Sequence, residues 1–269
     1  PVAAGAVGWG LLNRNRRRGV NLFTRTFFPL WLSINGVNLN VIGRDNLKKQ
    51  QPAVYIFNHR NNFDPIITAS LIGDNVTGVG KKELADDPLL GPVGKLLDGV
   101  FIDREDTASA VASLQQVEEA IAKGLSILMA PEGTRLDTTE VGEFKKGPFR
   151  IAMAAGIPIV PIVIRNAEVI GSRDSSLMNP GTVDVAVFPP ISVADWTVDD
   201  LVERILFLDG IPNMQRMNSV RVGEDAVEQH KHATQRGLPS SRVVMNTFSG
   251  LRSRWMMPRP WMAASAVLN

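Results

Sequence analysis

Short apolar runs alternate with helical patterns through the middle of this chain, and this alternation limits the possible folds more than any other feature. Six runs are rich in Val, Ile, Leu and Phe and are bounded by polar or turn residues, as buried strands are. The runs are residues 53–57, 76–79, 100–102, 125–129, 157–164 and 183–188. Helical patterns fill most of the intervals, at 66–71, 88–97, 106–121 and 149–155. Strands alternating with helices predict an α/β fold, a layered mixed sheet flanked by helices, over about residues 41–207.

The first of these strands leads into the polar segment 58–64, in which His59 and Asp64 stand five positions apart. Asp64-Pro65 is typical of a helix start, where Asp64 caps the helix and the missing N–H of Pro65 costs nothing. His59 would then lie in the loop, with Asp64 able to turn back towards it. A histidine held by a carboxylate is a common general base. The alternative is a surface loop in which His59 only follows a strand, and the pair alone does not decide between the two.

Further polar clusters lie near the ends of predicted strands. Because functional groups gather at the carboxyl ends of strands in open α/β sheets, these clusters and segment 58–64 could line one crevice. Arg104, Arg135 and Lys145 would offer cations for a phosphate, and Gly133 would let the backbone approach a ligand. A single arginine at a strand end is usually only solvated, but several beside a His–carboxylate pair favour a binding site. The clusters are 101–104, 131–135 and 144–147.

The composition excludes several chemistries. The chain has no cysteine, which excludes disulfides, thiolate nucleophiles and thiolate metal sites. It also lacks the Gly-x-Ser-x-Gly elbow of many serine hydrolases. Two of the three histidines, His230 and His232, fall in a C-terminal region with weak apolar periodicity, so we expect no metal site. We expect residues 208–269 to form a poorly ordered tail.

Charge is unevenly distributed along the chain. Residues 1–50 contain eight Lys or Arg and one acidic residue, whereas residues 51–208 contain thirteen basic and twenty-two acidic residues. Nucleic-acid binding is not expected, because no motif for it is present and the basic residues avoid the middle of the chain. A basic N-terminal arm on an acidic body instead favours an anionic membrane surface as a partner.

The N-terminal arm also has the residue types of a membrane-surface helix. Arginines at 14 and 16–18 precede an aromatic and apolar stretch over 21–32, which Pro29 interrupts. We predict an N-terminal amphipathic helical membrane-binding segment over residues 1–40. The alternative is an ordinary core helix with a solvated basic end. No apolar run reaches the roughly 18 to 20 residues that are needed to span a bilayer.

Four blocks of the sequence, in order, resemble the motifs of the glycerolipid acyltransferases, the family typified by 1-acyl-sn-glycerol-3-phosphate acyltransferase. The resemblance covers about residues 20–195 and includes the NHx₄D catalytic block of that family. One departure is Asn61, which stands where Ser is common. The blocks are Asn58-His59 with Asp64, 81–84 with 99–104, 131–135 with 144–147, and 159–162.

The resemblance implies that residues 41–207 form an acyltransferase domain. It implies transfer of an acyl group from acyl-CoA or acyl-carrier protein to the free hydroxyl of 1-acyl-glycerol 3-phosphate, which makes phosphatidic acid. His59 would take the proton of that hydroxyl, and Asp64 would fix the imidazole tautomer and stabilise the imidazolium. No cofactor and no metal is implied. The residues expected to bind substrate are Asn58, Arg104, Glu132, Gly133, Thr134, Arg135 and Lys145.

The resemblance also bears on location and partners. We expect a membrane-associated enzyme at the cytoplasmic face, with lysophospholipid and acyl thioester as substrates. In this family such stretches also occur behind a haloacid-dehalogenase-type phosphatase domain. A fusion of that kind is therefore an expectation here too, and it agrees with a first residue that is Pro and not Met.

Three other functions remain open from the sequence. The acceptor could be glycerol 3-phosphate or another lysophospholipid, because the motifs handle the shared glycerol phosphate and thioester. The chain could be a non-catalytic membrane-binding or lipid-binding module, although intact His59, Asp64, Glu132 and Arg135 count against this. A soluble hydrolase that uses the His–Asp pair to activate water is disfavoured by the cationic clusters and the basic apolar arm.

Overall fold

The computed structural model describes residues 16–86, 90–103, 107–135 and 142–209 of the chain. The prediction for Arg104, the first residue of the helix predicted over 106–121 and the tail from residue 210 onwards lie outside the described residues. The strands are β1 (Val37–Ile42), β2 (Val54–Phe57), β3 (Val76–Lys81), β4 (Val100–Ile102), β5 (Ser126–Met129), β6 (Ile159–Arg165) and β7 (Gly181–Val187). The α-helices are α1 (Arg16–Ile34), α2 (Asp64–Ile72), α3 (Leu90–Leu96), α4 (Thr107–Ala122), α5 (Gly147–Ala155) and α6 (Leu201–Asp209).

These strands form one mixed sheet in the order β1-β7-β6-β2-β5-β3-β4. β2 lies at its centre and pairs in parallel with β5 on one side and β6 on the other. β3 and β4 continue the parallel part, whereas β7 runs antiparallel to β6 and parallel to β1. The predicted α/β fold with a mixed sheet flanked by helices is confirmed. Because β6, β2 and β5 are parallel neighbours, the loops that follow them leave the same edge of the sheet.

The middle of the sheet is buried on both faces. All residues of β2 and β5 are buried, and Val54 and Tyr55 are completely inaccessible. A strand covered on both faces is a continuous apolar run, which is why the sequence pattern located β2, β5 and β6. The half-exposed strand β1 was not predicted, although Val37, Leu39 and Val41 alternate with asparagines. β1 continues across residue 40, where the N-terminal segment was predicted to end.

Helix α1 packs one face into the body of the protein. The buried residues of that face include Val20, Phe23, Phe28 and Leu32, and the helix contacts α2. The predicted interruption at Pro29 is wrong, because the helix continues through this residue. Pro29 is exposed, where the carbonyl that loses its N–H partner can be hydrated. Among the described residues, no helix has both the length and the apolar character needed to cross a membrane.

Ion pairs join α1 to the loops that precede β3 and β4. Arg16 Nη1 lies 2.6 Å from Asp98 Oδ1, and Arg17 Nη1 lies 3.6 Å from Asp98 Oδ2. Arg25 Nη1 lies 3.4 Å from Asp74 Oδ2. These arginines therefore contribute to the attachment of α1, and its buried face is that of a core helix.

Candidate active site

His59 and Asp64 meet in the loop between β2 and α2. His59 Nδ1 lies 3.0 Å from Asp64 Oδ2, and the Asp64 carboxylate is fully buried. An ionised carboxylate only accepts hydrogen bonds, so Nδ1 carries the proton and the Nε2 lone pair is left to act as a base. No described residue hydrogen-bonds Nε2, and the His59 side chain is 20% exposed. The Phe57 ring contacts the imidazole edge-on, with ring centroids 5.6 Å apart, which further limits its orientation.

Asp64 was predicted to cap the following helix, and this prediction is wrong. Helix α2 begins at Asp64 itself, and Phe63 occupies the cap position without a side-chain hydrogen bond. Asp64 Oδ2 instead accepts hydrogen bonds from the backbone N–H groups of Arg60 (2.5 Å) and Asn61 (2.8 Å). The carboxylate therefore turns back into the loop and orients His59 together with the backbone around it.

Glu132, in the loop after β5, binds the backbone of the His59 loop. Its Oε1 accepts the backbone N–H of His59 at 2.8 Å, and its Oε2 accepts that of Gly142 at 2.9 Å. Burial raises the pKa of Glu132, although these N–H groups and the nearby Arg60 guanidinium act in the opposite direction. Both oxygens are engaged within the protein. This geometry gives Glu132 a positioning role, in which one carboxylate joins the loops after β2 and β5.

We expect Glu132→Gln to lower kcat about 10- to 100-fold with little change in the acceptor KM, as misplacement of a catalytic group does. The amide keeps only one acceptor oxygen, so either His59 or Gly142 loses its partner and the His59 loop shifts. Glu143→Gln removes a neighbouring but highly exposed carboxylate and is the matched control. Steady-state kinetics distinguish the roles, because an effect on the acceptor KM alone would place Glu132 in contact with substrate.

Two buried asparagines hold the His59 loop to β6 and to the loop that follows it, residues 166–180, which we call the β6–β7 loop. Asn58 donates to the carbonyl of Ile164 at 2.9 Å and accepts the N–H of Ile164 at 2.7 Å. Asn61 donates to the carbonyls of Ala167 (2.7 Å) and Gly171 (2.9 Å). A serine at position 61 has one donor and a shorter side chain, so it could not make both bonds. Asn58 and Asn61 thus orient the loop from inside the protein.

Arg135 reaches across to the same region. Its Nη1 donates to Asn62 Oδ1 and, at 2.8 Å, to the carbonyl of Arg173. Its Nη2 lies 3.2 Å from Asp174 Oδ1, and 29% of the Arg135 side chain is exposed. The guanidinium is therefore held beside the His59 loop by the β6–β7 loop. Gly133 has a φ of +73°, which suits glycine in the tight turn before Arg135.

The remaining predicted residues lie nearer to solvent. Thr134 is exposed, and Lys145 is exposed with its Nζ 3.8 Å from Glu143 Oε2. The Lys145 backbone N–H donates to the carbonyl of Pro131 at 2.8 Å, which holds segment 142–147 beside the loop after β5. The structure thus brings three of the four polar clusters to one edge of the sheet, and Arg104 of the fourth lies outside the described residues.

Sequence reasoning missed Asn61 and Asn62 as positioning residues and missed the β6–β7 loop entirely. Asn62 also donates to the carbonyl of Ser175 at 3.1 Å. These hydrogen bonds join residues more than one hundred positions apart in the sequence. Their acceptors are backbone carbonyls, which every residue type has, so the sequence does not reveal them. The position of Asn61 within a motif was the only available indication.

Comparisons with known proteins identify relatives of this chain. Residues 38–165 match the family model described as Acyltransferase. The chain is 31% identical over 214 residues to 1-acyl-sn-glycerol-3-phosphate acyltransferase of Limnanthes alba, covering 77% of this chain and 75% of that protein. It is 35% identical over 152 residues to the protein of the same name from Salmonella typhimurium, covering 56% and 61%.

A solved structure supports the fold. The crystal structure of the 1-acyl-sn-glycerophosphate acyltransferase PlsC from Thermotoga maritima matches with a TM-score of 0.66, over 79% of this chain and 86% of that one. At 20% identity this likeness concerns the fold alone. The relatives found by sequence show the family as well as the fold. The chain is an enzyme that belongs to the glycerolipid acyltransferase family typified by 1-acyl-sn-glycerol-3-phosphate acyltransferase.

Proposed function

We propose that this enzyme transfers a fatty acyl chain from acyl-CoA or acyl-carrier protein to the free hydroxyl of 1-acyl-glycerol 3-phosphate, making phosphatidic acid. One observation carries the proposal. A histidine whose Nδ1 meets a buried carboxylate lies in the same loop as Asn62, which binds the guanidinium of Arg135. A base in this loop and a cation held against it suit an acceptor with a hydroxyl and a phosphate on neighbouring carbons.

The mechanism needs only one proton carrier. His59 Nε2 takes the proton of the acceptor hydroxyl while that oxygen attacks the thioester carbonyl. The C–S bond breaks as the tetrahedral intermediate collapses, and the leaving thiolate takes the proton from the imidazolium. Asp64 stabilises the imidazolium between these steps, because its buried charge lies 3.0 Å from Nδ1. We expect the reaction to need no metal and no cofactor. The fusion to a phosphatase domain also stays a prediction.

Arg135 is the best-supported phosphate ligand among the described residues. A guanidinium offers five N–H donors in a planar fork that matches two phosphate oxygens. Two acceptors from Asn62 and Arg173 hold Nη1, so the side chain is oriented before the ligand arrives. Pre-orientation reduces the entropy lost on binding.

We expect Arg135→Ala to raise the acceptor KM by about tenfold or more and to leave the acyl-CoA KM nearly unchanged, because a charge-assisted bond to phosphate is lost. Arg135→Lys should also be impaired, because an ammonium cannot reproduce the bidentate fork. Arg204→Ala is the matched control: Arg204 is similarly half-buried and paired with carboxylates. If only the thioester KM moved, Arg135 would belong to the donor site.

The proposal includes attachment to the cytoplasmic face of a membrane through the outward face of α1. Leu22, Leu30 and Ile34 recur at helical spacing on this face and are between 44% and 74% exposed. Arg16 and Arg17 are paired with Asp98, so these apolar residues provide the larger share of the proposed contact.

Replacing Leu22, Leu30 and Ile34 together with serine should weaken binding to anionic vesicles about tenfold or more. The rate of acyl transfer to long-chain acceptors should fall together with vesicle binding. Folding should be little affected, because these side chains do not pack in the core. Val198→Ser with Val202→Ser, two exposed apolar residues elsewhere, is the control. Co-sedimentation measures binding, and unchanged binding would place the membrane contact elsewhere.

These substitutions are preferable to deletion of residues 1–32. The deletion would remove Phe23, Phe28 and Leu32 from the core and would destabilise the protein whatever α1 does at a membrane.

A further inference from the structure

A guanidinium nitrogen of Arg135 that a phosphate would use already pairs with a carboxylate. Both N–H groups of Nη1 are directed to neutral acceptors, Asn62 Oδ1 and the carbonyl of Arg173. A phosphate that binds with two oxygens must therefore use the edge formed by Nε and Nη2. Asp174 Oδ1 lies 3.2 Å from Nη2. A phosphate bound at Nη2 would bring its oxygens close to this carboxylate, and the two anions would compete for the same nitrogen because their charges repel each other at such distances.

We propose that Asp174 is a specificity-determining residue that pairs with Nη2 of Arg135 until the phosphate of the acceptor displaces it. This inference rests on the proposed function, in which Arg135 binds that phosphate. An acceptor with a phosphate replaces one anion by another with more charge and more acceptor oxygens. A neutral acceptor cannot make this exchange, so it leaves the Asp174–Arg135 ion pair in place. Asp174 thereby sets how much negative charge an acceptor needs.

The side chain of Asp174 can move at little cost, while its backbone is held. Its side chain is 75% exposed, and ion pairs of this kind contribute little free energy. The β6–β7 loop around it is anchored by Asn61 and Asn62, which bond the carbonyls of residues 167, 171 and 175. Gly171 packs so closely on Phe63 that a Cβ there would lie 2.5 Å from the ring. The exchange thus requires a rotation of one side chain and no movement of the loop.

The test compares Asp174→Asn with the wild type in steady-state acyl transfer, with 1-acyl-glycerol 3-phosphate as acceptor and inorganic phosphate as competitive inhibitor. We expect the acceptor KM and the inhibition constant of phosphate both to fall about two- to fivefold, as expected for removal of a partly exposed ion pair that competes with the ligand. The acyl-CoA KM and kcat should not change. The effect should be largest at low ionic strength, because salt screens exposed charges.

Asp195→Asn is the matched control, because Asp195 is also exposed and paired with an arginine, Arg204, outside the site. It changes the net charge equally and should leave the acceptor KM unaltered. In an Arg135→Ala background, Asp174→Asn should have no effect on the acceptor KM.

Each outcome decides between the two proposals. An unchanged acceptor KM in Asp174→Asn overturns the inference, and a raised KM would mean that Asp174 only orients Arg135. If Arg135→Ala raises the acceptor KM while Asp174→Asn does nothing, the proposed function stands and only this inference fails. If Arg135→Ala also leaves the acceptor KM unchanged, then Arg135 does not bind the phosphate, and that part of the proposed function is overturned as well.

Discussion

Replacing His59 with alanine should lower kcat by about 10² to 10⁴, the usual contribution of a general base. The imidazole is the only group placed by Asp64 to accept a proton, and its Nε2 is not hydrogen-bonded by any described residue. Its contribution is made in the transition state, so kcat should fall and the KM values should change little. Initial rates with acyl-CoA and 1-acyl-glycerol 3-phosphate measure the effect.

The controls for this variant separate chemistry from folding. The free energy of unfolding should fall by no more than about 1–3 kcal/mol, because the buried Asp64 carboxylate loses one partner and keeps two backbone N–H donors. His59→Gln keeps a polar side chain of similar size without a base, and it should be as inactive as His59→Ala. Activity of either variant within about tenfold of the wild type would contradict the role of His59.

Asp64→Asn should lower kcat by about 10² to 10⁴ as well, although it removes no atom of the loop contacts. Asp64 Oδ1 is buried and has no hydrogen-bond partner among the described residues, while Oδ2 accepts three bonds. The amide oxygen can therefore replace Oδ2, and its nitrogen can take the place of Oδ1. The variant keeps the hydrogen bonds and loses the charge that stabilises the imidazolium.

Asp64→Ala provides the comparison for this prediction. It also leaves the N–H groups of Arg60 and Asn61 without their acceptor, which should reduce the free energy of unfolding by about 1–3 kcal/mol beyond that of Asp64→Asn. Urea denaturation measures this difference. If Asp64→Asn retained nearly full kcat, the charge of Asp64 would not assist the reaction and His59 would need another source of stabilisation.

Much of the fold could be predicted from the sequence because its signals are local. The strands β2, β5 and β6 are continuous apolar runs, and helix α5 ends at Gly156 with a φ of +63°, as the sequence pattern indicated. The order of the strands could not be predicted, because neighbouring strands such as β2 and β6 are about one hundred positions apart. Pro29 was interpreted as a break, yet the packing of Phe28 and Leu32 outweighs the loss of one hydrogen bond.

In the candidate site, too, local contacts could be predicted from the sequence and long-range contacts could not. His59 and Asp64 meet because only four loop residues lie between them, so the local pattern predicted the pair, although it wrongly predicted that Asp64 caps the helix. The positioning role of Glu132 could not be predicted, because its partners are backbone N–H groups, one of them in the loop after β2, more than seventy positions away. The contact of Asp174 with Arg135 depends on the β6–β7 loop, which has no motif.

One measurement tests the central claim most directly, which is that the His59–Asp64 pair transfers an acyl group to a phosphate-bearing acceptor. Purified protein is supplied with labelled acyl-CoA and either 1-acyl-glycerol 3-phosphate or the same lysolipid without its phosphate, and the lipid products are separated. We predict that the wild type forms phosphatidic acid, while His59→Ala and the acceptor without phosphate give about one hundredfold less product. Equal transfer to both acceptors, or release of free fatty acid at the same rate without an acceptor, would contradict this account.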